Sequence, residues 1–298
     1  MNLDNWSNSN IPILEVLLYD SGTDHTFSRF GYWTFTGEAK PKTILYSKDY
    51  AADYKVSVFT DEFILHPARK NDTSRLKIAW LLESRAIIPE IYNQIRRKPK
   101  VASGFDLLVS HDLEIVEQFK NAVFCPIGGS WSSEADIAKE VTKSKLVSMI
   151  LSEKKSTIGH RVRHEVYSQL ATSNKIDFFG TGAKRPFCNK SEALVEYLYS
   201  IAVLNDNYPI YFTEIVNDCF LLKTIPIIWG PSTISEIFDP RGLYIWSTLA
   251  ELSEILESIS LSDYESRKKA IETNFEIAKK LSNTDDNFRH TIYNQLKI

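Results

Sequence analysis

The feature that most constrains this chain is the alternation of short apolar runs with segments of helical period. Six runs rich in β-branched and aromatic residues occupy the first half. We predict strands there over Ile13–Tyr19, Thr43–Tyr46, Lys55–Phe59, Leu76–Leu82, Asp106–Val109 and Ala122–Pro126. Strands that alternate with helices are typical of βα units around a largely parallel sheet. The sequence therefore predicts an α/β fold.

The second half continues the alternation with clearer helices. Apolar residues at every fourth position predict a helix over 160–171. Ser191 is predicted to cap a helix that runs through Tyr197. Further strands are predicted over Lys145–Leu151, Lys175–Phe179, Ser200–Leu204, Thr224–Trp229 and Leu243–Trp246, and further helices over 249–258, 263–281 and 286–295.

A chain of 298 residues is about twice the usual domain length, so we expect two domains. Glycine and serine cluster around Trp131 in the turn-rich stretch Gly128–Ser133, where we place the junction. The sequence thus predicts two Rossmann-like αβα domains, residues 1–135 and 136–298, with a cleft between them. Such folds bind ligands at the carboxyl ends of their strands, where loops and helix N-termini converge.

Composition and short motifs exclude several classes of partner. Lys and Arg number 35 against 38 Asp and Glu, a net charge of -3, so a nucleic-acid partner is not expected. The three cysteines and six histidines follow no metal-ligand spacing, and the glycine pairs complete no dinucleotide or P-loop pattern. We therefore predict neither a metal nor a cofactor.

The expected location follows from the absence of targeting signals. Residues 1–10 lack the basic and apolar regions of a secretory signal. No apolar stretch approaches the roughly 18 residues of a transmembrane segment. We predict a cytoplasmic protein, either cellular or made by a virus inside its host.

One polar segment follows the predicted strand Ser200–Leu204. Asn205 stands at the strand's end, Tyr211 lies in the short loop, and Thr213 and Glu214 open the next helix. The free N–H groups and dipole of a helix start favour an anion, and a carboxylate there can accept hydrogen bonds from sugar hydroxyls. The pattern suits a nucleotide diphosphate with its sugar. The alternative is that Thr213 only caps the helix and Glu214 only complements its dipole.

This segment resembles the nucleotide-sugar motif of the alpha-1,3-fucosyltransferase family. The residues that match the family's pattern at its spacing are Asn205, Tyr211, Thr213, Glu214, Pro226 and Gly230. Upstream, Ile158–Leu170 resembles the family's arginine-containing helix, which places Arg163 at the arginine that binds the diphosphate. A guanidinium suits that role because its two parallel N–H groups fit phosphate oxygens. The alternative is an ordinary solvated arginine, with Arg161 equally available.

The resemblance implies the two-domain GT-B fold and a role in glycan biosynthesis. The implied reaction is the inverting transfer of a sugar, most naturally fucose, from a GDP-linked donor to a hydroxyl of a glycan acceptor. Arg163 and the helix that starts at Thr213 would hold the diphosphate. Asn205, Tyr211 and Glu214 would hold the nucleotide and the sugar.

The first half resembles the family at two strands. Leu76–Ser84 resembles a strand that ends in an exposed glutamate, and Phe105–Asp112 resembles the strand that follows it. Glu83 is thereby the candidate base, because a carboxylate at a strand's carboxyl end is well placed to take the proton of an acceptor hydroxyl. The alternative is that Glu83 is a surface acid beside Arg85.

Two positions depart from the family's pattern. The family's lysine after Thr-Glu is Ile215, which falls on the inward face of the predicted helix, so core packing replaces a cation near the phosphates. The family's acid before the motif asparagine is Leu204.

No D-x-D follows an apolar strand, which favours a metal-independent site. Two alternatives stay open: a GT-B transferase that uses another nucleotide sugar, and a sugar- or nucleotide-binding module without catalysis.

Overall fold

The structure, a computed structural model, describes residues 11–21 and 43–298. Over these residues the chain divides into two units, each built on one sheet of parallel strands. The described residues up to Ile127 form the first unit together with Asn283–Ile298, and Gly128–Ser282 forms the second. The predicted α/β class with two Rossmann-like units is confirmed. The prediction of no secretory signal in residues 1–10 concerns a segment outside the described residues.

The two units differ from the predicted domains at both ends of the second domain. The predicted boundary lies between residues 135 and 136, whereas the structure divides the chain between Ile127 and Gly128, where the turn-rich junction begins. The predicted second domain runs to residue 298, whereas Asn283–Ile298 belong to the first unit.

The first unit contains a six-stranded sheet with the order β2-β1-β3-β4-β5-β6. Its strands are β1 (Leu14–Tyr19), β2 (Ile44–Ser47), β3 (Val56–Thr60), β4 (Leu76–Leu81), β5 (Leu107–Ser110) and β6 (Ala122–Phe124). Its helices before the junction are α1 (Ala68–Asn71), α2 (Pro89–Arg97), α3 (Pro99–Ala102) and α4 (Leu113–Gln118). All six strands lie where the sequence predicts them, to within about two residues.

The second unit contains a five-stranded sheet with the order β11-β10-β9-β7-β8. Its strands are β7 (Lys145–Ile150), β8 (Ile176–Phe179), β9 (Tyr197–Val203), β10 (Ile225–Trp229) and β11 (Tyr244–Trp246). Its helices are α5 (Glu134–Ile137), α6 (Ile158–Leu170), α7 (Glu214–Leu221), α8 (Leu249–Ser258), α9 (Leu261–Ser266) and α10 (Lys268–Leu281). The predicted helix over 263–281 is therefore divided in two.

The helix predicted from Ser191 through Tyr197 is wrong. The segment forms only a 3₁₀ turn over Lys190–Ala193, and Tyr197 already begins β9. The cap of the turn is Asn189, whose side chain accepts a hydrogen bond from the Ser191 N–H at 3.0 Å. Every residue of β9 is buried, so burial on both faces of the sheet outweighs the local helical pattern.

The last helix, α11 (Thr284–Leu296), packs on the sheet of the first unit. The rings of Phe288 and Trp80 stack with their centroids 3.7 Å apart and their planes 5° apart. Asp286 accepts hydrogen bonds from the N–H and the hydroxyl of Thr43 at 3.0 and 2.6 Å. These contacts explain why the C-terminal helix belongs to the first unit rather than to the second.

The strand order of the second sheet creates a switch point at its carboxyl edge. β7 and β9 are neighbours, but β7 continues through α6 to β8 on one side, and β9 continues through α7 to β10 on the other. Connections that leave in opposite directions open a crevice at the carboxyl ends of the two strands, which is where open α/β sheets bind ligands. Both α6 and α7 begin at this edge.

At the switch point, α6 lies very close to the end of β9. The N–H of Gly159, in the first turn of α6, donates to the Asn205 carbonyl at 3.3 Å. A Cβ at position 159 would lie 1.7 Å from the Leu204 carbonyl oxygen, so this approach requires glycine. Thr157 and His160 close the start of the helix with a capping box.

We expect Gly159→Ala to lower the free energy of unfolding by about 1–3 kcal/mol, because the added methyl group forces the helix away from the strand. Urea unfolding followed by circular dichroism measures the change. Gly104→Ala is the matched control, since a Cβ there would meet its nearest atoms at 3.4 Å. Equal losses of stability in the two variants would contradict the close approach.

Candidate functional site

Arg163 bridges α6 and the end of β9. Its Nε donates to the Val203 carbonyl oxygen at 2.9 Å, and its Nη2 donates to the same oxygen and to Asn205 Oδ1, the latter at 3.0 Å. Among the described residues, none accepts a hydrogen bond from Nη1. The structure thus brings two predicted site residues, Arg163 and Asn205, into direct contact. Arg161 is exposed and donates to the Ser156 carbonyl instead.

Electrostatic coupling connects Arg163 to two further predicted residues. Burial lowers the pKa of Arg163, and Glu214 and Tyr211 act in the opposite direction. These two side chains therefore lie within electrostatic reach of the guanidinium. The structure assembles Arg163, Asn205, Tyr211 and Glu214 around the switch point.

The loop before α7 holds Tyr211 in a strained stretch of backbone. Ile210 has a φ of 61°, which is a rare conformation for a β-branched residue. Its N–H donates to Thr233 Oγ1 at 2.8 Å, and the rings of Tyr208 and Tyr211 pack with their centroids 4.6 Å apart. Backbone strain of this kind persists only where surrounding contacts enforce it, and it is common at ligand-binding sites.

Thr213 lies at the N-cap position of α7 but does not cap the helix through its side chain. The alternative role of Thr213, capping of the helix by its side chain, is therefore wrong. The Thr213 carbonyl accepts the hydrogen bond of the Val216 N–H, and the backbone of Thr213 is extended. The Val216 N–H is thus engaged, and the Glu214 N–H bonds its own carboxylate, so an anion at this end would be favoured mainly by the helix dipole.

Glu214 forms an ion pair that the sequence does not reveal. Lys190 Nζ lies 2.8 Å from Glu214 Oε1 and 3.6 Å from Asp218 Oδ2, and it also lies 4.0 Å from the ring centroid of Trp131. Burial raises the pKa of Glu214, but the lowering effects of Lys190 and then of Arg163 outweigh it. The pKa therefore ends below its ordinary value. Glu214 is therefore an ionised carboxylate between two cations.

Asp218 ties the start of the second unit to α7. Its Oδ1 accepts hydrogen bonds from Ser130 Oγ at 2.8 Å, from the Trp131 N–H at 2.8 Å and from the Ser132 N–H at 3.1 Å. Burial raises the pKa of Asp218, and so does Glu214, against the lowering effect of Lys190. A sequence signal existed for this cluster: two acids four residues apart share one helix face and need a cation between them.

The two departures from the family's pattern have different outcomes. Leu204 is fully buried, and a Cβ on Gly230 would meet its Cδ1 at 2.7 Å, so this position is core. Ile215 is only half-buried, whereas Val216 and Cys219 on the same helix are fully buried. The prediction that Ile215 packs in the core is therefore wrong. The cation beside Glu214 comes from Lys190.

In the first unit, Glu83 follows β4, and its backbone is held at three points. Its N–H donates to Asp61 Oδ1 at 3.2 Å, while its carbonyl lies 3.0 Å from the Tyr92 hydroxyl and 3.3 Å from His111 Nε2. Asp61 is buried and has a φ of 44°, a conformation that few residues other than glycine adopt. The Glu83 side chain is half-buried at the carboxyl end of the strand, where the sequence predicts it.

Arg85 pairs with other acids of the first unit. Its Nε and Nη2 donate to the two carboxylate oxygens of Asp112, each at 2.7 Å, and its Nη1 donates to Glu114 at 3.1 Å. Asp112 is fully buried and caps α4. These contacts commit the Asp112 carboxylate to structure and leave it poorly suited to accept a proton.

His111 is also committed to structure. It is buried and lies 3.3 Å from the Tyr92 hydroxyl. Burial lowers the pKa of His111 to about 4, although the Asp112 carboxylate acts to raise it. A ring with so low a pKa is neutral at pH 7 and a weak base.

Within residues 11–21 and 43–298, no group of three or more His, Cys, Asp and Glu side chains could hold a metal ion. No helix in this part of the chain combines the length and the apolar character needed to cross a membrane.

Part of the second unit matches the model of a known protein family. Residues 140–268 match the family model described as glycosyltransferase family 10 (fucosyltransferase), C-terminal. This stretch is therefore similar to the C-terminal domain of that family. It contains α6, β9 and α7, and with them Arg163, Asn205, Tyr211 and Glu214.

About half of the chain resembles a known protein. Alpha-(1,3)-fucosyltransferase 7 of Rattus norvegicus is 25% identical over 150 residues, which are 48% of this chain and 40% of that protein. The chain thus spans less than half the length of this relative.

Solved structures share the fold over nearly the whole chain. An alpha1,3-fucosyltransferase has a TM-score of 0.61 at 13% identity, covering 98% of this chain and 93% of that one. The Anabaena protein HepE in complex with UDP has a TM-score of 0.62 at 11% identity, covering 96% and 100%. These similarities show the GT-B fold.

We expect stability to fall as the pH drops from about 6.5 to about 4, because unfolded His111 binds a proton in this window and folded His111 does not. The contribution of His111 is on the order of 3 kcal/mol across the window. Urea unfolding at several pH values measures the slope. His111→Gln should flatten it, while His160, whose pKa burial also lowers to about 4, keeps its own share. An unchanged slope in the variant would contradict the assignment.

Proposed function

We propose that this protein transfers a sugar, most naturally fucose, from a GDP-linked donor to a hydroxyl of a glycan acceptor, with inversion and without a metal ion. The observation that carries the proposal is the assembly of Arg163, Asn205 and Glu214 at the switch point of a stretch that matches the family 10 model. Similar structures include alpha1,3-fucosyltransferases in complex with GDP and with GDP-fucose.

The donor's diphosphate would bind between Arg163 and the start of α7. Arg163 brings a positive charge to the edge, and two of its nitrogens are fixed by the Val203 carbonyl, so the remaining Nη1 is presented in a set direction. The positive end of the α7 dipole would add to the attraction for the diphosphate. Together they would offset the charge that builds on the leaving diphosphate without a divalent cation.

The sugar and the nucleotide would bind to the remaining polar groups. Glu214 is ionised and partly exposed, with 22% of its side chain accessible, so it can accept hydrogen bonds from hydroxyls. Asn205 and Tyr211 complete the set, at the end of β9 and in the following loop. Their roles rest on the resemblance to the fucosyltransferase motif and on their position at this edge.

Glu83 would act as the base of the transfer. The acceptor hydroxyl gives its proton to the carboxylate while its oxygen forms a bond to the anomeric carbon. The bond from that carbon to the diphosphate breaks, and GDP leaves with the electron pair. Of the acids that end strands in the first unit, Asp20, Asp61 and Asp112 are buried, whereas Glu83 is half-buried.

A second donor class remains a specific alternative. HepE, which shares the fold at a similar TM-score, is seen with UDP-glucose. A fold shared by GDP- and UDP-binding proteins does not decide the donor, which depends on the site's own groups. The third possibility is a binding module without catalysis. An enzyme would slowly hydrolyse the donor in the absence of acceptor, whereas a binding module would not. The cytoplasmic location and the absence of a cofactor stay predictions.

We expect wild-type protein to bind GDP in the presence of EDTA, and Arg163→Ala to weaken this binding by about 1.5–3 kcal/mol, the value of hydrogen bonds to a charged group. Isothermal titration measures both. A strict need for Mg²⁺ or Mn²⁺, or a clear preference for UDP, would overturn the proposed donor.

Arg161→Ala is the matched control, since Arg161 is an exposed arginine on the same helix. Arg163→Lys should restore only part of the loss, because an ammonium group cannot reproduce the guanidinium fork. Arg163 also binds the Val203 carbonyl, so the unfolding of each variant is measured beside its affinity.

We expect Glu83→Gln to reduce the transfer rate by roughly 10²–10⁴, because the amide cannot take the acceptor's proton. The affinity for GDP-fucose should change little. The measurement is the rate with an acceptor identified by screening, beside the donor Kd. Glu62→Gln, an exposed glutamate of the same unit, is the control. Near-normal transfer by Glu83→Gln would place the base elsewhere.

A further inference from the structure

Lys190 is buried behind Glu214 rather than beside it on the surface. Only 9% of its side chain is exposed, against 22% for Glu214. Its ammonium group contacts Glu214 Oε1, Asp218 Oδ2 and the face of the Trp131 ring. A lysine in this position reaches a ligand less easily than the carboxylate that it binds.

The backbone that carries Lys190 is itself fixed. The side chain of Asn189 accepts a hydrogen bond from the Ser191 N–H at 3.0 Å and donates one to Asp136 Oδ2 at 2.9 Å. Lys190 therefore approaches α7 from an anchored 3₁₀ turn. An anchored cation fixes the orientation of the carboxylate that it binds.

Glu214 needs such a partner because burial opposes its charge. Asp218 lies one helical turn away on the same helix, and the two acids interact. The residue that follows Glu214, Ile215, brings no charge. The charged groups that face Glu214 are Lys190, Arg163 and Asp218, and of the two cations Lys190 has the larger effect.

We propose that Lys190 is a positioning residue: it keeps the Glu214 carboxylate ionised and aimed at the hydroxyls of the donor. The inference rests on the proposed function, since it gives a role to Glu214 in donor binding. Lys190 acts through Glu214 and does not touch the donor. A purely structural lysine would contribute to stability but would leave the pH dependence of donor binding unchanged.

The direction of the pH effect follows from the charges. In the wild type, Lys190 holds the pKa of Glu214 below its ordinary value, so Glu214 stays ionised into the acid range. Without Lys190, burial raises that pKa. Because the proton neutralises the acceptor of the sugar's hydrogen bonds, donor affinity should then be lost at a higher pH.

The test is the Kd of GDP-fucose measured by isothermal titration at several pH values from about 4.5 to about 8. For Lys190→Met we expect the acid-side midpoint of binding to move up by about one pH unit or more, and the Kd at the acid end to rise about tenfold. Lys190→Arg should keep the wild-type midpoint because it keeps the charge.

Lys223→Met is the matched control, since it removes an exposed lysine that pairs with Glu272 at 3.1 Å in the same unit. Its midpoint and affinity should equal those of the wild type. If Lys190→Met fails to fold, the double variant Lys190→Met with Asp218→Asn removes the buried unpaired acid and is read in the same way.

Glu214→Gln separates failure of the inference from failure of the proposed function. If this variant binds GDP-fucose as the wild type does, Glu214 is not a donor ligand and the proposed site is wrong. If Glu214→Gln weakens binding by about tenfold or more but Lys190→Met keeps the wild-type midpoint, then the proposed site stands and the positioning role of Lys190 is overturned.

Discussion

The candidate site depends on one backbone contact, the approach of the start of α6 to the end of β9. Gly159 lacks a side chain and so allows the first turn of the helix to touch the Leu204 carbonyl. Arg163 follows one turn later on the same face, where its guanidinium reaches the Val203 carbonyl and Asn205. A longer distance between helix and strand would leave the arginine without these anchors.

Charge balance is the second constraint on this edge of the sheet. Buried carboxylates are stable only with a partner, and Lys190 serves both Glu214 and Asp218. It favours Glu214, at 2.8 Å rather than 3.6 Å, and the pKa values move accordingly, down for Glu214 and up for Asp218. One lysine thereby supports the acid at the site and the acid that holds Ser130 and its neighbours.

The first unit handles its acids differently. One carboxylate oxygen of Asp61 accepts hydrogen bonds from two backbone N–H groups at the end of β4, and Asp112 accepts hydrogen bonds from Arg85. Such acids shape the edge of the sheet and are poor candidates for proton transfer. Glu83 differs because its backbone is fixed while its side chain is half-buried. This contrast could not be read from the sequence, in which all these acids simply follow apolar runs.

The sequence by itself determined the α/β class, nearly all of the strands and the segment that carries the site. Helices and strands bury side chains with a fixed period, so the spacing of apolar residues along the sequence indicates them. Sequence also paired Arg163 with the Asn205 segment, but only through the resemblance to a family.

Tertiary structure alone decided the exceptions. Three exceptions depend on what packs against each segment: the 3₁₀ turn at Lys190–Ala193, the absence of a side-chain cap from Thr213 on α7, and the partial exposure of Ile215. The placement of α11 on the first sheet and of Lys190 beside Glu214 joins residues far apart in the chain. No local pattern encodes such pairs, because an ion pair forms wherever folding brings opposite charges together, whatever their separation in sequence.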